Sequence, residues 1–253
     1  MICYKKNYYV FNMKIAIIFW GLARSLNYTI KSINKNILDV LKENDIEYDI
    51  FFHTYFLNKI YNNPRSNEKN IKLDNNLYKL LKPKYFIKDN QEKVIKDLDI
   101  KQYYPKKSPF FKDDKFLTFK NYILALNSLK RISKLAIEIN KSENYDYVIY
   151  MRPDVLFTKK FDIKWFDLCK EKIILTPSFH KWGGLNDRFS VGKPEIIKLY
   201  GYRFNYLEKR MMLISEKLLK YIVEKDKYEN IDIKFVFKRI RADGKMDVKD
   251  VKL

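Results

Sequence analysis

A chain of 253 residues that is 47% hydrophobic can bury a full core, which excludes global disorder. The formal net charge of +20 is spread along the chain with no Lys/Arg block, so it reads as a solvated surface that attracts anions, and a polyanion site stays open as the other reading. Cys3 and Cys169 have no metal-ligand spacing and build no disulfide framework, and no apolar run approaches the ~18 residues that cross a bilayer, so a cytoplasmic protein in a reducing compartment is expected.

Residues 1–12 are too aromatic and too short for a signal peptide, and Met13-Lys14 directly precedes a strong strand. They read as an upstream extension of a single domain over 13–253. Residues 14–20 form a continuous apolar run of strand length, as a central parallel strand does. Gly21-Leu22-Ala23-Arg24-Ser25 breaks it. A helical period follows at Leu26, Ile30, Ile33, Ile37 and Leu41, with Ser25 or Asn27 placed to cap it. A second strand over 48–52 ends at His53-Thr54. This β-loop-α-β order predicts a parallel pair with a right-handed crossover.

Residues 58–76 are rich in Asn, Lys and charge and read as a mobile surface loop. Residues 84–88 suit a short strand. Residues 89–118, with Pro105 and Pro109, have no clear period and read as a flap over a cleft. The best helix spans 121–139 and leads into a strand over 147–151. Another short strand is expected over 172–176, then a loop from 177 to 192 containing Gly183, Gly184 and Gly192. Pro194 suits the first turn of a helix reaching about Leu199. A helix over 207–223 and a late strand over 233–240 complete an α/β chain.

Four segments could carry chemistry. The Gly21–Arg24 turn lies where a strand ends and a helix opens: glycine permits close backbone approach, a helix N-terminus favours anions, and Arg24 can fork two phosphate oxygens. His53 and Thr54 follow the second strand. A lone histidine is more often a satisfied structural residue than a ligand, and both readings stand for His53 and His180. Asp154 follows the middle strand; Pro153 stiffens the approach to it, and a carboxylate there suits Mg²⁺ or Mn²⁺ bridged to a diphosphate. Arg152 either neutralises phosphate or pairs with Asp154. In Trp182-Gly183-Gly184-Leu185-Asn186-Asp187, Trp182 offers a flat face to a sugar or base, and Asp187 is a candidate general base, or a cap for the next element. Cysteine-hydrolase, G-x-S-x-G and zinc-histidine patterns are absent.

In order, these segments resemble a family of small GT-A-type glycosyltransferases found among bacterial surface-polysaccharide genes and in giant viruses. Its pattern of G-x-x-R, D-[IV]-F-x-H-[TS], R-x-D and G-x-N-D-x-F is matched by Gly21-Leu22-Ala23-Arg24, Asp49-Ile50-Phe51-Phe52-His53-Thr54, Arg152-Pro153-Asp154 and Gly184-Leu185-Asn186-Asp187-Arg188-Phe189. The intervals fit from about residue 13 to 200, and Arg239-Ile240-Arg241-Ala242-Asp243-Gly244 is similar to the close of such chains. The resemblance implies a GT-A-like, Rossmann-like, mostly parallel twisted sheet flanked by helices. It also implies a nucleotide-sugar donor and a glycan hydroxyl acceptor, with no specific nucleic acid.

Donor contacts are implied for Gly21, Arg24, His53, Thr54, Arg152, Trp182, Gly183, Gly184 and Asn186. Asp154, with His180, would hold Mn²⁺ or Mg²⁺, and Asp187 would act as base. The chain departs from the D-x-D pattern at Arg152, which replaces the first acid and bears directly on metal dependence. A basic nucleic-acid-binding protein and a degenerate transferase that binds without turnover are the alternatives.

Overall fold

The computed structural model of the chain describes residues 13–63, 66–104, 116–207 and 214–250. The expected 1–12 extension lies outside the described residues. So does the centre of the expected flap, residues 105–115.

The fold is built on β1 (Lys14–Trp20), whose side chains are buried on both faces of the sheet. Ile15, Ile17 and Phe19 belong to one core cluster, and Ala16, Ile18 and Trp20 to the other. This strict alternation with no polar face is what a strand covered on both sides requires. The first cluster is closed by α1 (Leu26–Ile33), which continues through a π-type turn at Asn34–Leu38 into α2 (Asp39–Glu43). Leu26, Ile33, Ile37 and Leu41 are buried there, as the period predicts. Ser25 occupies the N-cap position, but its hydroxyl makes no capping bond.

β2 (Glu47–Phe56) pairs in parallel with β1 and runs past the expected end at His53. The extension exists because β5 (Tyr85–Asn90) pairs with it as far as Phe56. The expected loop over 58–76 instead contains a hairpin, β3 (Tyr61–Asn63) against β4 (Glu68–Ile71). Its pattern was hidden because the strands are short and polar. The described part of the expected flap is helical at α3 (Gln91–Asp97), with Val94, Ile100 and Tyr103 buried.

The opposite face is covered by α4 (Leu117–Glu143), longer than expected at both ends. It delivers the chain to β6 (Tyr147–Met151), parallel to β1. β7 (Val155–Phe157) follows at once, then α5 (Trp165–Leu168) and β8 (Ile173–Pro177). Within the expected 177–192 loop, β9 (Phe189–Gly192) runs antiparallel between β6 and β8. α6 (Ile196–Gly201) and α7 (Ser215–Lys225) lead to β10 (Glu229–Ile233) and β11 (Phe237–Arg239). The single late strand expected over 233–240 is thus two strands in different sheets: β10 joins the main sheet and β11 pairs with β7.

The main sheet has seven strands in the order β10-β8-β9-β6-β1-β2-β5, all parallel except β9. The molecule is therefore an α/β, Rossmann-like domain with helices on both faces. Successive strands move outward from β1 towards β5 and then, from β6, in the other direction. The gap between the C-terminal ends of β1 and β6 is the topological switch point, where open α/β sheets leave a crevice. Among the described residues no helix is long and apolar enough to cross a membrane.

Candidate functional site

A cleft of about 680 Å³ opens at that switch point, and Gly21, Arg24, Arg152, Asp154, Trp182 and Asp187 all line it. Gly21 directly follows β1 and adopts φ +95, a left-handed conformation that a side chain resists. No atom lies within 4 Å of where its Cβ would stand, so the requirement is conformational.

His53 and Thr54 lie inside β2 and are buried, away from the cleft lining. They hold the Gly21 turn from behind. Gly21 N donates to Ser128 Oγ at 2.8 Å, and Ala23 N donates to Thr54 Oγ1 at 3.3 Å. Ser128 Oγ lies 2.7 Å from His53 Nδ1, and His53 Nε2 lies 3.0 Å from Asp89 Oδ2. Burial lowers the His53 pKa against the pull of Asp89, so the ring is neutral. A neutral ring that donates from Nε2 to Asp89 and accepts at Nδ1 from Ser128 fits both ring contacts.

Asp154 is 2% exposed, in the short link from β6 to β7. Its backbone is pinned from both sides. Thr29 Oγ1 donates to Pro153 O at 2.6 Å, and Ile240 N donates to Asp154 O at 2.9 Å. Arg152 forks its carboxylate, Nε to Oδ1 at 2.7 Å and Nη2 to Oδ2 at 2.6 Å, and Arg24 Nη2 adds a contact to Oδ2 at 3.2 Å. Burial alone would raise the Asp154 pKa; the Arg152 and Arg24 charges outweigh it and hold the carboxyl well below the usual carboxylate range.

These residues do not fit a divalent cation. Both Asp154 oxygens are occupied by guanidinium donors, and an ion would have to displace two positive charges that are already in place. His180, the expected second ligand, is outside the cleft lining and faces Asp250, with Nδ1 3.4 Å from Oδ1.

Two further segments complete this end of the cleft: the β3–β4 hairpin, which no motif singled out, and the Arg239–Gly244 stretch, which resembled the close of the family's chains. Glu68, from the β3–β4 hairpin, is buried; it lies 3.5 Å from Arg24 Nη1 and accepts from Ala242 N at 2.7 Å. Tyr61 from the same hairpin bonds Arg24. The returning C-terminal segment brings Arg239 and Arg241 to the lining, fixed by Asp250 and Asp247 respectively. Burial, then repulsion from Arg24 and Arg239, lowers the Arg241 pKa to about 10. It stays charged at neutral pH.

The Trp182–Asp187 segment divides. Trp182 is 49% exposed with Lys249 Nζ 5.1 Å from its ring centre. Gly183 and Gly184 do not line the cleft. A Cβ on Gly184 would land on the Glu216 carbonyl, so this glycine serves the docking of the turn onto α7 rather than contact with a ligand. Asn186 is buried and spends its amide on the same turn, donating to Phe179 O at 2.9 Å and accepting from Arg188 N at 3.0 Å.

Asp187 faces Arg203 Nη1 at 3.8 Å and lines the cleft together with Arg188, Arg203 and Glu216. Arg188 stands at an unspecified position of the Gly184–Phe189 motif, and Arg203 and Glu216 carried no sequence signal. Glu216 and Arg203 lie in or beside a stretch expected to be one long helix, and only tertiary packing buries them. Scans of the chain against protein-family models and against curated proteins find no match.

Proposed function

We propose that the chain is a GT-A-type glycosyltransferase that moves a sugar from a nucleoside-diphosphate donor to a hydroxyl of a glycan acceptor. The observation that carries this reading is the crowding of Arg24, Arg152 and Arg241 at the switch-point cleft, beside the Gly21 turn. Buried acids hold these guanidiniums in place, and a dianionic diphosphate in the cleft can accept from their remaining N–H groups. The exposed Trp182 ring offers a flat surface for a sugar or a base.

In the reaction, the donor's diphosphate lies against Arg24, Arg152 and Arg241. These preorganised guanidiniums stabilise the negative charge that grows on the leaving oxygen. Arg152 is 29% exposed, so its outer edge can meet a phosphate while it keeps hold of Asp154. Asp154 holds two of the arginines at fixed positions, which limits reorganisation as charge develops. The acidic pair Asp187 and Glu216 handles the acceptor hydroxyl.

The test is incubation with a panel of UDP-, GDP-, ADP- and dTDP-sugars while released nucleotide is measured. Slow release from at least one donor is expected without acceptor, and much faster release once a suitable glycan is added. If no donor in a broad panel is bound or hydrolysed, the reading fails.

A further inference from the structure

The mouth of the cleft has a composition that donor binding does not explain. Among the described residues nine large hydrophobic side chains are exposed, and four of them, Trp182, Ile214, Met246 and Val248, line this one cleft. Val248 is 85% exposed, the most of the nine. Single exposed apolar residues are ordinary, but a cluster of them at an opening marks a binding surface.

The four belong to one rim. The turn that carries Trp182 packs on the start of α7: Leu185 N donates to Glu216 O at 3.0 Å, and a Cβ on Gly184 would land on that carbonyl. This sets Trp182 beside the stretch from Ile214 to Lys217. From the other direction, Lys249 Nζ lies 5.1 Å from the Trp182 ring centre and brings Met246 and Val248 alongside. Trp182 holds φ +46, a left-handed conformation that a bulky residue resists, so the docked turn has to fix the outward setting of the ring.

Ammonium groups are interleaved with these apolar side chains. Lys245 and Lys249 are exposed on the rim, and Lys217 is exposed beside Gly183. Asp243, an exposed acid on the same rim, faces Lys245 at 3.3 Å. The core of a protein interface is depleted in lysine, and nucleic acid offers phosphates but little to receive aliphatic side chains. A lipid surface meets both needs. Acyl chains take the apolar tips, a tryptophan ring settles at the polar boundary, and lipid phosphates take the ammonium groups. The formal charge of +20 draws the chain towards an anionic surface of this kind.

We propose that this rim docks the mouth of the cleft onto an anionic bilayer. Docking needs only the rim, whatever reaction the cleft performs; under the transfer reading it makes the acceptor a glycan carried at the lipid surface.

The experiment is flotation of the full chain with vesicles of phosphatidylcholine, with and without phosphatidylglycerol. The wild type should float with the phosphatidylglycerol vesicles. Brominated acyl chains should quench a part of its tryptophan fluorescence, and Trp182→Phe should remove that part. Val248→Glu and Met246→Glu should each weaken vesicle binding about tenfold or more. Leu168→Glu, which makes the same charge change at an exposed residue outside the cleft lining, should leave binding unchanged.

Absence of flotation, or of the Trp182-dependent quenching, overturns the proposal. So does vesicle binding that both rim variants retain or that Leu168→Glu weakens equally, since that is general attraction to polyanions, and duplex DNA would then bind as well. None of these results bears on nucleotide release from a donor, and failure of donor release leaves the docking result standing.

Discussion

Arg24 and Arg152 carry the site because each has a buried acid to hold it and an outer edge facing the cleft. Arg24, 10% exposed, bridges Asp154 and Glu68. Replacing it with alanine leaves buried carboxylates short of a partner, which destabilises by about 3 kcal/mol. Urea denaturation of Arg24→Ala should show that loss, and Arg24→Lys should recover only part of it, since an ammonium cannot fork.

Ser25 gives a sharper test. Its hydroxyl is buried without a partner. A serine at an N-cap ordinarily contributes about 1 kcal/mol, but here Ser25→Ala is expected to be neutral or stabilising. A loss of 1 kcal/mol would mean that the hydroxyl does cap the helix.

His53 and Asp154 both contribute to the acid response. His53 has a pKa below its ordinary 6.5, so below that pH the unfolded chain takes up a proton that the folded chain refuses. Asp154 is depressed from 3.8, so its contribution is complete above that value and is lost as pH falls further. Urea midpoints should therefore decline from about pH 6.5 downward, and His53→Asn should reduce the first part of that decline, to which His180, also lowered by burial, contributes.

At the scale of elements, the β3–β4 hairpin and the C-terminal segment depend on each other through Glu68. Its carboxylate accepts from Ala242 N, 174 residues away in the chain. Glu68→Ala should raise amide exchange over residues 240–247 while leaving β1 and β6 protected. Equal protection in both proteins would show that the segment is held by its other contacts. This coupling was invisible in the sequence, where Glu68 lies in an Asn- and Lys-rich stretch of loop composition.

The elements that were legible are those with strong local patterns: β1 from its apolar run, α4 from its stripe and the β6–β7 link from its Arg-Pro-Asp break. β9 was missed because it is four residues long and exists through pairing with β6 and β8. Asp154 and Arg24 could be found because strand ends are marked by sequence breaks. Glu216 could not, because a glutamate near a helix start is an ordinary surface residue until a glycine turn packs against it.

For the whole molecule, the sheet order decides where chemistry can sit. The switch point between β1 and β6 brings the Gly21 turn and the Asp154 link to one crevice, although they are far apart in the chain. The net charge of +20 adds a long-range field. Anionic ligands should associate faster at low salt and lose that advantage as ionic strength rises. A nucleic-acid-binding protein would instead hold arbitrary duplex with a much steeper salt slope.

The most direct measurement is calorimetric titration of wild type, Arg24→Ala and Arg152→Ala with nucleoside-diphosphate sugars, each in the presence of chelator. The wild type should bind at least one such donor with chelator present, and each arginine variant should bind it about tenfold more weakly or worse. Wild-type protein that binds no nucleoside-diphosphate sugar, or arginine variants that bind as tightly as the wild type, would contradict a diphosphate site at these arginines.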